Sequence, residues 1–129
     1  MTEITRHAIQ TPNAPKAVGP YSQAIIANGF VFVSGQTGID PQKGQITGGI
    51  EAQTRQALDN IGATLVGAGS EFDLVVKTTV YLKSIEDFAI VNSIYAEYFA
   101  FNPPARTTVG VANLPIGALV EIEVVALVR

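Results

Sequence analysis

Tyr21-Ser22-Gln23-Ala24-Ile25-Ile26-Ala27-Asn28-Gly29-Phe30-Val31-Phe32-Val33-Ser34-Gly35-Gln36 holds two apolar runs rich in Ile, Val and Phe, split by Asn28-Gly29. Asn-Gly tolerates positive φ at both central positions of a two-residue turn, the geometry that joins two twisted antiparallel strands. Residues 21–27 and 30–36 therefore read as a hairpin. Upstream, Ile4–Ile9 reads as a further short strand. Thr11–Pro20 carries Pro12, Pro15, Gly19 and Pro20 and reads as loop. Downstream, Asp40-Pro41-Gln42-Lys43-Gly44 has the proline and glycine of a tight turn.

Beyond the hairpin the hydrophobic period changes. Leu58, Ile61, Leu65 and Ala68 follow helical spacing and predict a helix from Ile50 to Val66, stopped by Gly67 and Gly69. Leu74–Lys83 is rich in Val, Thr and Tyr and reads as a strand. Ser84-Ile85-Glu86-Asp87 resembles a capping box opening a second helix. Its stripe is Phe88, Val91, Tyr95 and Tyr98, and Asn102-Pro103-Pro104 ends it. Arg106–Val111 and Leu119–Val128 close the chain as strands, with Leu114–Gly117 in the turn between. The order β-β-β-α-β-α-β-β groups strands at both ends. It predicts one α+β domain over residues 1–129: a mixed β-sheet with two helices packed on one face.

Composition narrows the function. The chain has 129 residues and a net charge of −3, with eight basic residues spread along it. A nucleic-acid surface needs clustered Lys and Arg, so none is expected. Charged residues are 15% of the chain, against about 25% in an ordinary globular protein. That shortage predicts a homo-oligomer that buries part of its surface; the competing reading is a monomer coated in Ser, Thr and Gly. With no cysteine and one histidine, His7, disulfides, thiol nucleophiles and a Ser-His-Asp triad drop out, and a metal site is not expected. His7 beside Arg6 reads as a solvated strand residue. Met1-Thr2-Glu3 opens no secretory signal, and no apolar run is long enough to span a membrane. The cytoplasm is the expected compartment.

Glycine-rich Gly35-Gln36-Thr37-Gly38 and Gly48-Gly49 lack the Gly-Lys-Ser/Thr ending of a phosphate loop and read as turns. Two other features are less easily dismissed. Alternation puts Arg106, Thr108 and Gly110 on one face of their strand. Arg106 is either a solvated strand end or a clamp for a small carboxylate, because its planar fork donates two parallel hydrogen bonds. Glu121 and Glu123 share a strand face, about 7 Å apart, opposite the core face of Val120, Ile122 and Val124. Val125 and Leu127 continue the acidic face as apolar residues. A glutamate on a partly covered face needs a partner or a task.

Gly19-Pro20-Tyr21-Ser22-Gln23-Ala24, Val33-Ser34-Gly35-Gln36, Val76–Leu82, Phe88–Asn92, Pro104-Ala105-Arg106-Thr107-Thr108-Val109, Leu114-Pro115 and Val120-Glu121-Ile122-Glu123 together resemble the RidA (YjgF/YER057c/UK114) family of reactive imine deaminases. The likeness runs collinearly from about residue 4 to the end. It implies a chorismate-mutase-like fold and a homotrimer with sites at subunit interfaces. The implied reaction is hydrolysis of 2-iminopropanoate or 2-iminobutanoate, by-products of pyridoxal-phosphate dehydratases, to the 2-oxo acid and ammonia, with no cofactor. By that likeness Arg106 and Glu121 carry the catalysis: Arg106 holds the substrate carboxylate and Glu121 handles the water. Tyr21, Ser34, Gly35, Asn92 and Thr108 line the pocket. Thr108 stands where many bacterial members carry cysteine, which bears on substrate preference.

Three other functions compete: a carboxylate-binding regulator without turnover, a paralogue acting on another amine-bearing acid, and a ribonuclease, against which the charge balance counts. An imine is already electrophilic, so a fixed carboxylate and an oriented water suffice for hydrolysis.

Overall fold

Asn28 (φ 51°) and Gly29 (φ 81°) both adopt the left-handed conformation that the hairpin turn requires. They join β2 (Ala24–Ala27) to β3 (Phe30–Gln36). The computed structural model describes residues 4–129. Met1-Thr2-Glu3, read above as no secretory signal, lie outside the described residues. β1 (His7–Ile9) pairs with β2 and is shorter than expected, since Ile4–Arg6 form no ladder. Residues 21–23 are likewise outside the strand that was predicted to include them. The Tyr21 N–H and the Gln23 side chain bond to the preceding loop, while the carbonyls of Ser22 and Gln23 accept from Ser34 of β3. A two-residue ladder, β4 (Ile39–Asp40) with β5 (Gln45–Ile46), flanks the expected turn at Asp40–Gly44.

α1 (Ile50–Gly67) buries Leu58, Ile61 and Leu65 completely. Each such side chain contributes roughly 1.5–3 kcal/mol on transfer from water. Gly67 still belongs to the helix. Gly69 stops it with φ 78°, and the Ser70 amide donates back to the Leu65 carbonyl at 2.8 Å, the closure that a left-handed glycine permits. β6 (Val75–Leu82) follows. The predicted capping box does not form: Ser84 makes no side-chain cap, and a one-turn 3-10 helix, Ile85–Asp87, leads into α2 (Phe88–Tyr98). β7 (Ala105–Gly110) and β8 (Val120–Leu127) complete the chain.

The sheet order is β1-β2-β3-β8-β6-β7. Among the described residues only β6 and β7 pair in parallel, with α2 as their crossover, so the sheet is mixed. The C-terminal strand β8 is inserted between β3 and β6. Val31, Val33, Val80, Val120, Ile122 and Val124 of the central strands are buried in one core with α1 and α2. The opposite face carries Phe32, Tyr81, Val109, Glu121, Glu123 and Leu127, and Phe32, Val109 and Leu127 are exposed. Among the described residues no helix is long and apolar enough to cross a membrane.

Candidate functional site

Glu121 sits where β3 is irregular. Val33 pairs with Val124 and Gln36 with Ile122, so β3 carries one extra residue there and bulges. The bulge brings Gly35 against Glu121 so closely that a Cβ at position 35 would overlap the carboxylate. Only glycine leaves Glu121 room in this position. The carboxylate opens into a cavity of about 420 Å³ whose walls include Tyr21, Gln36, Thr37, Pro115 and Ile116. Burial, and then the like charge of Glu123, push the Glu121 carboxyl above its ordinary pKa, and no donor among the described residues opposes them. Glu123 differs: it accepts a hydrogen bond of 2.5 Å from the Tyr81 phenol. The two glutamates share a face, but one is engaged and the other faces a cavity.

The walls are braced by long-range polar contacts. The Gln23 amide accepts from the Thr11 N–H at 2.7 Å and donates to the carbonyls of Thr11 and Pro15. It pins the loop beside Tyr21. The Ser34 hydroxyl donates to the Ser22 carbonyl at 2.6 Å, so Ser34 ties the Tyr21 segment to β3. Asn60 of α1 donates to the carbonyls of Thr37 and Ile39. Tyr21 itself is half exposed at the cavity rim.

Arg106 lies elsewhere. It pairs across the ladder with Thr78, which in turn faces Val124, so its side chain is on the helix side of the sheet. Glu121 pairs with Tyr81, one residue out of phase with that row, and is on the opposite face. The Arg106 guanidinium lies 4.7 Å from the centre of the Tyr95 ring and 5.6 Å from that of Phe88. Neither ion pair of the described residues, Arg55–Glu97 nor Arg129–Glu71, involves it. Asn92 and Thr108 adjoin it in a crevice under α2. The Thr108 hydroxyl oxygen is buried without a hydrogen-bond partner among the described residues.

The expected site residues thus form two groups within one chain: Tyr21, Gly35 and Glu121 with the brace Ser34, and Asn92, Arg106 and Thr108. Three participants were not anticipated. Tyr95 and Phe88 looked like core positions of a helical stripe. Ile116 adopts φ 53°, a rare conformation for a β-branched residue, and forms part of the cavity wall. Its only sequence signal is the Pro115-Ile116-Gly117 turn ahead of β8. Among the described residues no group of three His, Cys, Asp or Glu side chains is placed to hold a metal.

A family model described as Endoribonuclease L-PSP matches residues 11–128. The chain belongs to this family, the YjgF/RidA family. A human protein named 2-iminobutanoate/2-iminopropanoate deaminase is 48% identical over 98% of this chain and 93% of its own length. A Lactococcus lactis protein named as a regulator, AldR, is 52% identical over 94% of this chain and 97% of its own. The solved structure of a Rid family protein from Yersinia pestis superposes with a TM-score of 0.94 at 52% identity, covering 96% of this chain and all of that one.

Proposed function

We propose that this chain hydrolyses 2-imino acids of the 2-iminopropanoate and 2-iminobutanoate type to 2-oxo acids and ammonia. The observation that carries the reading is Glu121, a carboxylate of raised proton affinity seated against Gly35 in a cavity and bonded to no donor among the described residues. Water adds to the electrophilic imine carbon as Glu121 takes its proton. The same carboxyl returns that proton to the nitrogen to give the carbinolamine, then carries the proton of the new hydroxyl to the nitrogen, so that the carbon–nitrogen bond breaks, the hydroxyl oxygen becomes the 2-oxo carbonyl and ammonia leaves. Arg106, in no ion pair among the described residues, holds the substrate carboxylate through its fork, a pairing with directional as well as electrostatic strength. The Thr108 hydroxyl, with no base beside it, shapes the pocket and is not a nucleophile. The name of the human relative supports this substrate class.

Arg106 and Glu121 occupy opposite faces of the sheet, so a ligand of a few carbon atoms reaches both only if they come from two copies of the chain. The proposed assembly is a homotrimer with the site between subunits. It also covers the apolar sheet face around Phe32, Val109 and Leu127.

The regulator's name on a relative of similar identity favours a second reading, the same pocket used for binding without turnover. A coupled assay separates the two. A dehydratase generates the imine, and release of 2-oxo acid and ammonia is timed with and without this protein. Acceleration that is lost in Arg106→Lys, which keeps the charge and discards the fork, is the expected result. Unchanged imine lifetime with retained carboxylate binding would favour the regulator. The ribonuclease in the family's description fits poorly with a net charge of −3 and dispersed basic residues.

A further inference from the structure

Arginine clamps are commonly held by a carboxylate, which restrains the guanidinium but competes with an incoming anion. Arg106 is held differently. The faces of two aromatic rings, Tyr95 at 4.7 Å and Phe88 at 5.6 Å, lie against its guanidinium, both within cation–π range. The rings are seven residues apart on α2, two turns along one helix face. Tyr95 is anchored at its far end, where its hydroxyl shares a 2.7 Å hydrogen bond with Thr78, a residue with no exposed surface. Thr78 is also the ladder partner of Arg106 on β6, so strand, ring and guanidinium form a closed circuit. Burial keeps the Tyr95 phenol above its ordinary pKa, against the opposing influence of Thr78 and Arg106. Tyr95 therefore stays neutral and offers Arg106 a π face without a countercharge.

We infer that Tyr95, anchored by Thr78 and assisted by Phe88, is the positioning residue for Arg106, holding the guanidinium in place while leaving its N–H donors free for a carboxylate. This rests on the proposed role of Arg106 as the carboxylate clamp. An aromatic face holds a cation without taking up its N–H donors, whereas a carboxylate ligand binds through those donors. The two interactions are compatible, and the arginine is preorganised without being neutralised.

The test uses the full-length chain in its native assembly, with Tyr95→Phe, Tyr95→Leu, Phe88→Leu and Arg106→Ala. Two readouts are taken: KM and kcat in the coupled imine assay, and the affinity for pyruvate by calorimetry. Tyr95→Leu should raise KM and weaken pyruvate binding by roughly 3- to 30-fold with kcat nearly kept, the range expected for loss of a cation–π face. Tyr95→Phe restores the ring and should restore KM, even where its thermal midpoint falls through loss of the Thr78 bond. Phe88 is partly exposed, so Phe88→Leu tests the same interaction with little risk to folding, and should show a smaller rise. Normal KM and pyruvate affinity in folded Tyr95→Leu and Phe88→Leu would overturn the inference. So would equal loss in Tyr95→Phe and Tyr95→Leu, which would indicate a merely structural role. If the wild type binds pyruvate through Arg106 but shows no turnover, the same affinity pattern still upholds the positioning role and only the hydrolytic reading fails. If the wild type binds no carboxylate at all, both fail.

Discussion

Glu121 and Glu123 are two residues apart on one strand, yet their surroundings give them different chemistry. Glu123 has a phenol donor in Tyr81; Glu121 has a glycine and a cavity. Glu121→Gln keeps the shape and removes the basicity, so turnover should fall by about 10²–10⁴-fold with assembly intact. Glu123→Gln weakens the Tyr81 contact and should act on stability more than on rate. Because the Glu121 carboxyl is raised by burial and by the like charge of Glu123, its base form is reached at higher pH than that of an ordinary glutamate. The acid limb of the kcat/KM profile should therefore lie higher than an exposed glutamate would give, and vanish in Glu121→Gln. The linkage to folding has a matching sign. A group raised in the folded state contributes stability below its unfolded pKa and loses that contribution as pH rises through the folded value. Denaturant midpoints measured against pH should show this decline in the wild type and less of it in Glu121→Gln. Sequence spacing showed that the pair shared a face. Which member was free depended on the β3 bulge and on Tyr81, which is on the adjacent strand but 42 residues away along the chain, and no local pattern contains that.

Elements with strong local chemistry were legible in advance. Asn28-Gly29 forced the hairpin, and the stripe from Leu58 to Ala68 marked α1, because turn dihedrals and helical period are properties of consecutive residues. Segments organised by distant partners were not. Residues 21–23 look like strand, but only the Gln23 carbonyl still accepts from the Ser34 N–H, and the Gln23 side chain turns back to bond the loop twelve residues before it. Ser84 looks like a cap, but the backbone turns there as a 3-10 helix. Gln23→Ala should leave the Thr11 amide and the Thr11 and Pro15 carbonyls short of partners and cost about 1–3 kcal/mol. Thermal unfolding would record the loss, and hydrogen exchange at Thr11 would locate it. A midpoint equal to wild type would show that the loop holds by other means.

At the scale of the molecule, strand order decides what the site residues can do. The alternation of Arg106 and the pairing of Glu121 with Glu123 were both readable locally, but their placement on opposite faces follows from inserting β8 between β3 and β6 and running β7 parallel to β6. Low charge content pointed to self-association, and the exposed apolar face is a surface on which it could occur. The most direct test of the account is complementation between inactive chains. Arg106→Ala and Glu121→Gln are prepared separately, unfolded together, refolded as mixed assemblies and assayed for imine hydrolysis. If each site takes Arg106 from one copy and Glu121 from its neighbour, random mixing in a closed ring leaves about a quarter of the sites intact, and activity returns to that fraction of wild type. Mixed assemblies as inactive as their parents, with exchange of chains verified by mass spectrometry, would contradict the shared site.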